Sequence, residues 1–162
     1  MSIQVGDRLP DADVMRIGPN GPEKQALAPL LSRRKVVIFA VPGAFTPTCD
    51  SAHVPSFIRV MPDLAAKGVD QVICLSVNDP WVMQAWGDTT GANAAGITML
   101  ADPDCDLTEA IGMRFDAPPA GLLARSIRYA MLVEDGVVTR LHLEEARGVC
   151  DRTAGEAMLA AI

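Results

Sequence analysis

The feature that most constrains the fold of this chain is a run of six apolar residues, Val36 to Val41, with no polar residue among them. Such a run, rich in β-branched side chains, is typical of a strand that is buried on both faces of a sheet. Residues 71–77 repeat the pattern, and between the two runs apolar side chains recur every three or four positions from Val54 to Ala65, which predicts a helix. A strand, a helix and a second strand in this order predict parallel pairing of the two strands.

The remaining segments extend this order on both sides. Turn-forming residues over 18–22, GPNGP, predict a β-hairpin near the N-terminus. Downstream we predict a helix after Pro80, a short strand over 97–100, a helical turn over 107–111 and a loop over 116–121. The alternation of strands and helices therefore continues past the second buried strand.

The C-terminal part of the chain predicts a second hairpin and a closing helix. The dipeptide Asp135-Gly136 separates strand patterns over 129–133 and 137–143, and Asp-Gly is typical of a tight hairpin turn. A helix is predicted over 153–162. Parallel units joined to an antiparallel hairpin predict an α/β fold, a mixed central β-sheet flanked by helices, with the order of elements of a thioredoxin-like fold and an N-terminal β-hairpin.

Composition sets the size of the core and disfavours some partners. Of the 162 residues, 49% are apolar and 21% are charged, which suits one well-filled core, so residues 1–162 are predicted to form a single domain. A net charge of −6 disfavours nucleic acid, which needs clustered cations. No apolar stretch approaches the roughly eighteen residues of a membrane span, and residues 1–10 lack the pattern of a signal peptide, so we expect no membrane contact and a cytoplasmic location.

Four cysteines, Cys49, Cys74, Cys105 and Cys150, offer the widest scope for chemistry. A small secreted scaffold would carry more cysteines per residue, so these are expected to rest as thiols in a reducing compartment. None of them forms a Cys-x-x-Cys pair, and the two histidines provide no metal-ligand spacing. We therefore expect neither a metal ion nor a cofactor.

Cys49 differs from the other three cysteines in its position at the start of a predicted helix. The first buried strand ends near Val41, and Thr46-Pro47 marks the start of a helix, with a capping residue followed by the proline favoured at the first helical position. Cys49 then lies in the first turn, where free backbone N–H groups and the helix dipole stabilise a thiolate. The Thr46 hydroxyl can donate to a substrate oxygen. Alternatively, Thr46 and Pro47 only start the helix and Cys49 is a small buried apolar residue.

His53 follows Cys49 by four residues and is predicted on the same face of the helix. It could pair with the thiolate, as the base does in a Cys-His hydrolase. A structural, capping role is favoured instead, because one helix face rarely lets a base approach the nucleophile in line.

Several motifs extend this picture over nearly the whole chain. The run PGAFTPTC, at residues 42–49, has the pattern Pro-x-x-x-Thr-x-x-Cys and is followed by His53. The run CLSVNDPWVMQAW starts at Cys74, and Arg125-Ser126-x-Arg128-Tyr129 precedes the hairpin turn EDG. In this order and spacing, the motifs resemble the type II, or peroxiredoxin-5-like, subfamily of the peroxiredoxins.

The resemblance implies roles for individual residues. Cys49 corresponds to the peroxidatic cysteine, Thr46 to a donor to the peroxide, and Pro42 to a shield over the pocket. Arg128 corresponds to the catalytic arginine, whose permanent charge favours a thiolate and can hold peroxide oxygens. Arg125 is the second choice, and the two arginines could act together. Further contacts with the peroxide are expected from Gly43, Phe45, Thr48 and His53.

The resemblance also implies a reaction, the thiol-dependent reduction of hydrogen peroxide and alkyl hydroperoxides. Attack by Cys49 leaves a sulfenic acid, which a second thiol must reduce. Cys150, in a polar stretch after the last strand, is favoured as the resolving cysteine ahead of Cys105, while Cys74 in its apolar strand is expected to be packing. Otherwise the reductant is external: thioredoxin, glutaredoxin or glutathione. The subfamily suggests a homodimer.

Two departures from the subfamily bear on reactivity. Asp50 stands where many relatives have serine, and its carboxylate is expected to oppose the thiolate. Leu123 stands where glycine is common, and is expected to restrict access for bulky hydroperoxides. The alternatives to a peroxidase are a peroxide sensor or thiol redox relay that uses Cys49 to oxidise a partner protein, and a non-catalytic interaction or holdase role.

Overall fold

The structure, a computed structural model, describes residues 1–162 and contains nine strands and five helices. The strands are β1 (Asp13–Gly18), β2 (Gly21–Ala26), β3 (Lys35–Ala40), β4 (Gln71–Ser76), β5 (Thr98–Ala101), β6 (Arg114–Ala117), β7 (Leu122–Ser126), β8 (Tyr129–Glu134) and β9 (Val137–Leu143). The helices are α1 (Leu27–Leu31), α2 (Val54–Ala66), α3 (Pro80–Thr90), α4 (Asp106–Ala110) and α5 (Gly155–Ala160). A π-helical turn over Cys49–His53 leads into α2.

Seven strands form one mixed sheet in the order β2-β1-β5-β4-β3-β8-β9. β4 pairs in parallel with β3 and β5, whereas β1 and β8 run antiparallel to their neighbours β5 and β3. The N-terminal hairpin turns between Gly18 and Gly21, and the C-terminal hairpin turns at Asp135 and Gly136, which both have positive φ, 49° and 79°. The predicted mixed sheet, its N-terminal hairpin and the thioredoxin-like α/β architecture are confirmed.

Both faces of the central strand β3 are buried, as its unbroken apolar run predicts. Val37 and Phe39 face a cluster that includes side chains of α2, α3 and α5. Val36 and Ile38 face a second cluster, which includes side chains of α1 and α4. Because successive side chains of a strand point to opposite faces, β3 holds helices on both sides of the sheet. The segment that follows Ala40 therefore leaves from a firmly packed strand, and it carries Cys49.

Residues 114–126 differ from the prediction. The expected loop over 116–121 is instead the centre of a small antiparallel sheet, in which β6 and β7 are joined by a short 3-10 turn over Pro118–Ala120. Asp116 stabilises this turn, since its carboxylate accepts a hydrogen bond of 2.7 Å from the backbone N–H of Ala124. Both strands are short and partly exposed, so no strong apolar periodicity marks them in the sequence.

The other predicted elements lie close to their predicted bounds. The closing helix is shorter than expected, since α5 runs from Gly155 to Ala160 and residues 144–154 form an irregular loop after β9. No helix in the structure combines the length and the apolar character that crossing a bilayer requires.

Candidate active site

Cys49 lies at the start of the helical segment that follows β3. Helical backbone begins at Pro47, as the Thr46-Pro47 pair predicts. The turn then widens, because the N–H of Val54 donates to the carbonyl of Cys49 five residues back, and the next residue, Pro55, has no N–H to donate. Wide turns of this kind are frequent at functional sites. The Cys49 side chain is packed into the core with only 1% exposed.

The Thr46 hydroxyl is the first of two groups that contact the Cys49 sulfur. Thr46 Oγ1 lies 2.9 Å from Sγ and 2.6 Å from the carbonyl oxygen of Gly43. A hydroxyl has one hydrogen and a carbonyl only accepts, so a Cys49 thiol donates to Thr46 while Thr46 donates to Gly43. Once the thiol has lost its proton, the hydroxyl can turn its hydrogen to the sulfur or to a bound oxygen. The Thr46 hydroxyl can therefore form a hydrogen bond with the Cys49 sulfur whether it is a thiol or a thiolate.

Arg128 brings a permanent positive charge to the same sulfur. It directly precedes β8, is only 7% exposed, and its Nη2 donates to Cys49 Sγ at 3.3 Å. None of the ion pairs in the structure includes Arg128, although a buried cation without a counter-ion is costly. The Cys49 sulfur therefore lies beside a buried positive charge that no carboxylate balances. Arg125 donates only to the carbonyl of Pro42, at 3.5 Å.

His53 holds Arg128 in place. Its ring is fully buried, with Nδ1 2.9 Å from Arg128 Nη1 and Nε2 2.9 Å from the carbonyl oxygen of Thr153. A guanidinium only donates and a carbonyl only accepts, so Nδ1 is unprotonated and Nε2 carries the hydrogen. Burial, and then the charge of Arg128, lowers the pKa of His53 to about 3. Both ring nitrogens are thus engaged, and the side chain does not line the cavity described below, so the predicted peroxide contact of His53 has no free ring nitrogen to make it.

The carboxylate of Asp50, next to Cys49 in the chain, is engaged by α3. Its Oδ1 accepts a hydrogen bond of 2.8 Å from the indole Nε1 of Trp86, which is fully buried. An N–H that donates to a carboxylate stabilises the negative charge where it is. The bond holds the Asp50 carboxylate toward α3 and connects the wide turn to that helix.

A cavity of about 320 Å³ opens beside this cluster. Its walls include Pro42, Thr46, Thr48 and Arg128, four of the residues expected at the site. Two of them, Thr46 and Arg128, also contact the Cys49 sulfur, so the cavity lies next to this atom. A larger cavity of about 480 Å³, between β1 and the start of α4, contains none of these residues.

Three other residues with expected roles near the site do not line the cavity. Phe45 is 52% exposed, adopts a positive φ of 63° and does not line the cavity. Gly43 is buried against Arg125, where an added β-carbon would lie 2.9 Å from Nη1, and it too is absent from the cavity wall. Leu123 is 62% exposed and outside the cavity, whereas its neighbour Leu122 lines it.

No local pattern in the sequence marks the outer wall of the cavity, which includes Phe115, Leu122, Ile127 and Arg147. Phe115 and Leu122 belong to the small β6-β7 sheet, which lacks a periodic signal. Arg147 lies in the irregular loop after β9. Its only signal in the sequence is its place in the polar stretch that also contains Cys150.

The loop after β9 contacts the active-site turn on both sides of Cys150. Thr48 Oγ1 donates to the carbonyl of Gly148 at 3.0 Å, and the carbonyl of Thr153 accepts from the buried histidine at 2.9 Å. Burial raises the pKa of the half-buried Cys150 thiol, while a hydrogen bond from Thr153 and the positive charge of Arg128 act against this rise. Cys150 is thus held within electrostatic reach of the catalytic arginine candidate.

The two remaining cysteines are buried and do not line this cavity. Cys74 is fully buried within β4, and burial raises its pKa well above the ordinary value. Cys105 is 3% exposed, and burial, followed by the charge of Asp102, raises its pKa. Neither thiol is placed to react readily, because the thiolate is the reactive form.

Comparison with known proteins relates nearly the whole chain to one family. Residues 4–159 match the family model described as Redoxin. The chain is 46% identical over 165 residues to the chloroplastic Peroxiredoxin-2E-2 of Oryza sativa subsp. japonica, and the match covers 99% of this chain and 73% of that protein. Reduced Prx3 from Vibrio vulnificus in complex with H2O2 has a TM-score of 0.90 at 44% identity, with 98% of both chains covered. Peroxiredoxin 5 from Alvinella pompejana has a TM-score of 0.86 at 32% identity, with 98% of this chain and 97% of that chain covered.

Proposed function

We propose that Cys49 provides the sulfur that reduces peroxides, since this chain belongs to the redoxin family and is a type II peroxiredoxin. The chain is a thiol-dependent peroxidase, which acts on a hydroperoxide with a thiol as reductant. The observation that supports Cys49 is the approach of Thr46 Oγ1 and Arg128 Nη2 to its sulfur, at 2.9 and 3.3 Å, at the inner end of a cavity.

In the proposed reaction, the Cys49 thiolate attacks the terminal oxygen of the hydroperoxide. The S–O bond forms as the O–O bond breaks, the sulfur is oxidised to a sulfenic acid, and the leaving oxygen takes a proton to become an alcohol or water. Negative charge moves from the sulfur to the leaving oxygen, where the donors Arg128 and Thr46 can stabilise it. His53 is a positioning residue, which holds the guanidinium without touching the peroxide.

Steady-state peroxide consumption with dithiothreitol as reductant tests the role of Cys49. The parent is expected to consume many equivalents of hydrogen peroxide per chain, and Cys49→Ser none above the uncatalysed rate, because a hydroxyl is a far weaker nucleophile than a thiolate. Cys105→Ser, which removes another buried thiol, is the matched control and should turn over. Turnover by Cys49→Ser at the parent rate would contradict the proposal. Consumption that requires an added partner protein would favour the redox relay.

We assign the reduction of the sulfenic acid to Cys150. Cys150 lies in a loop that contacts the turn of Cys49 through Gly148, and the charge of Arg128, which contacts the Cys49 sulfur, also acts on the Cys150 thiol. In this step the Cys150 thiol attacks the sulfenic sulfur, a disulfide forms and water leaves. An external dithiol then reduces the disulfide and restores both thiols.

Mass mapping of cysteines after one equivalent of hydrogen peroxide tests this assignment. The parent is expected to contain a disulfide between Cys49 and Cys150. Cys150→Ser should instead accumulate a sulfenic acid at Cys49, which dimedone traps. A parent that carries the trapped sulfenic acid and no disulfide would exclude Cys150. The comparison of thioredoxin, glutaredoxin and glutathione as electron donors then identifies the external reductant.

We further propose that the chain forms a homodimer through three exposed apolar side chains. Phe45, Trp81 and Leu123 are 52%, 64% and 62% exposed. The backbone of Ala44 donates to Asn78 just before α3, which brings the loop of Phe45 next to Trp81. Arg125 of β7, the strand that carries Leu123, contacts the start of the same loop. Exposed apolar residues that share one surface favour a protein interface.

Sedimentation velocity tests the dimer. Trp81→Glu is expected to shift the chain toward a monomer, because it places a charge in the apolar contact. Val5→Glu makes the same change at another exposed apolar residue, 60% exposed, and should leave the dimer intact. A parent that sediments as a monomer at micromolar concentration would contradict the proposal.

A further inference from the structure

We infer that Arg147 selects hydroperoxides that carry a carboxylate, while the cavity beside Cys49 holds their apolar body. The inference rests on the proposed role of Cys49 and adds a preference among its substrates. The cavity is larger than hydrogen peroxide requires. The cavity of about 320 Å³ falls within the range of roughly 300–1,000 Å³ that small-molecule pockets occupy, whereas hydrogen peroxide has only two heavy atoms. The space suits a larger substrate.

The middle of the cavity is apolar. Phe115 and Ala117 of β6, Leu122 of β7 and Ile127 line it. A hydrocarbon body that leaves water for these walls is bound favourably. The reacting group of such a substrate would lie at the inner end, next to the Cys49 sulfur.

Two of the residues that line the cavity are cationic. Arg128 is buried beside the Cys49 sulfur, whereas Arg147, in the loop after β9, is exposed. No aspartate or glutamate lines the cavity, although the chain as a whole has a net charge of −6. A local excess of positive charge in an acidic protein favours an anionic ligand at this position.

Arg147 has its donors free for that ligand. Its guanidinium lies 5.7 Å from the centre of the Phe115 ring and takes part in none of the ion pairs. The ring contact positions the guanidinium without using its N–H groups, and the hydrogen bond to the carbonyl of Gly148 anchors the adjacent backbone. In contrast, Arg152 of the same loop is paired with Glu145. A free guanidinium matches the two oxygens of a carboxylate.

The substrate class that fits is an alkyl hydroperoxide with a carboxylate at a distance from the peroxide group, such as a fatty-acid hydroperoxide. Its terminal oxygen would meet the Cys49 thiolate between Thr46 and Arg128. Its hydrocarbon body would cover Phe115, and its carboxylate would bind Arg147. The chemistry at sulfur is unchanged, since Arg147 affects only how well the substrate is held.

Steady-state kinetics with a fatty-acid hydroperoxide and its methyl ester test this preference, because the two substrates differ only in charge. Arg147→Gln is expected to lower the ratio of kcat/KM for the acid to that for the ester by about two- to fivefold, through the KM of the acid, as an exposed ion pair allows. Arg152→Gln removes an arginine of the same loop that is already paired, and should leave the ratio at the parent value.

Equal losses for acid and ester in Arg147→Gln, or an equal fall of the ratio in Arg152→Gln, would overturn the inference. A failure of the Cys49 proposal would look different, since Cys49→Ser would then still reduce hydrogen peroxide at the parent rate. Calorimetry with the hydroxy acid, the reaction product, removes the dependence on turnover. In a Cys49→Ser background, Arg147→Gln should weaken binding of the hydroxy acid by the same factor. Unchanged affinity there also counts against Arg147.

Discussion

Cys49 and Cys74 are buried to the same extent, 1% and 0% exposed, and belong to the same apolar cluster. Cys74 lies within β4, where its neighbours across the sheet are Phe39 and Met99, and burial raises its pKa well above the ordinary value. Cys49 faces a hydroxyl and a guanidinium at hydrogen-bonding distance. Burial alone therefore does not distinguish the two thiols. They differ in the polar and charged groups within hydrogen-bonding distance of the sulfur.

The two regions also differ in how much of the fold they depend on. The sheet neighbours of Cys74 come from the adjacent strands β3 and β5, and Cys49 and Arg128 affect its thiol only through their charges. The surroundings of Cys49 come from three separate parts of the chain. They are the turn that carries Cys49, the residue before β8 and, through His53, the carbonyl of Thr153 in the loop after β9. Substitutions around Cys49 are thus expected to change rates, and substitutions at Cys74 to change stability.

The largest effect is expected from Arg128→Gln. It removes the buried charge beside Cys49, so the second-order rate constant for hydrogen peroxide should fall by about a thousandfold. Arg125→Gln is the matched control, since Arg125 contacts only the carbonyl of Pro42, and its loss should stay below about tenfold. Stopped-flow measurement of peroxide reduction under single-turnover conditions gives both constants. Equal losses in the two variants would show that they act as a pair.

A smaller effect is expected at Thr46. Thr46→Val keeps the shape of the side chain but removes the hydroxyl 2.9 Å from the Cys49 sulfur, so the same rate constant should fall by about a hundredfold. Thr46→Ser keeps the hydroxyl and should remain within a few-fold of the parent. If the valine and serine variants react equally fast, Thr46 only starts the helix and the difference between Cys49 and Cys74 rests on Arg128 alone.

The parts of the molecule that could be predicted from the sequence are those with local signals. The apolar runs mark β3 and β4, the three- and four-residue spacing marks α2, and Thr46-Pro47 marks the start of the helical segment at Cys49. The contact of Cys49 with Arg128 has no local signal, because 79 positions separate the two residues. It was expected only through the family resemblance.

Other features of the site depend on tertiary contacts that no local pattern encodes. The role of His53 depends on a carbonyl 100 positions away, and the partner of Asp50 is an indole 36 positions away. Phe45 was placed at the peroxide because it lies within the motif, but its positive φ accompanies a side chain that stays largely exposed. The β6-β7 sheet was missed because its short, partly exposed strands lack alternation.

The free energy of unfolding should depend on pH in the acidic range through His53, which belongs to the region of Cys49 and not to that of Cys74. In the folded chain the pKa of His53 is about 3, while in the unfolded chain it is about 6.5. Between these values the unfolded state binds more protons, so stability is lost as pH falls, by up to about 1.4 kcal/mol per pH unit. His53→Gln can still accept from Arg128 and donate to Thr153 but does not titrate. Its free energy of unfolding should therefore depend less steeply on pH.

Urea unfolding at pH 7, 6 and 5, followed by tryptophan fluorescence, measures this slope. His142→Gln removes the other histidine and is the matched control. A parent and a His53→Gln variant with parallel pH dependence would show that His53 is protonated in the folded state. The account of Arg128 held by a neutral ring would then be wrong.

The smallest effect is expected at Cys74. Cys74→Ala removes a fully buried sulfur, so the free energy of unfolding at pH 7 should fall by about 1 kcal/mol, while peroxide turnover stays within about twofold because Cys74 lies outside the cavity. Because the pKa of Cys74 is raised in the folded chain, this thiol makes the free energy of unfolding depend on pH in the alkaline range. Above about pH 8.5 the unfolded thiol ionises and the folded one does not, so the parent loses stability as pH rises. The difference in unfolding free energy between parent and Cys74→Ala should therefore shrink at high pH. A large loss of turnover in Cys74→Ala would instead place Cys74 in the reaction and remove the contrast with Cys49.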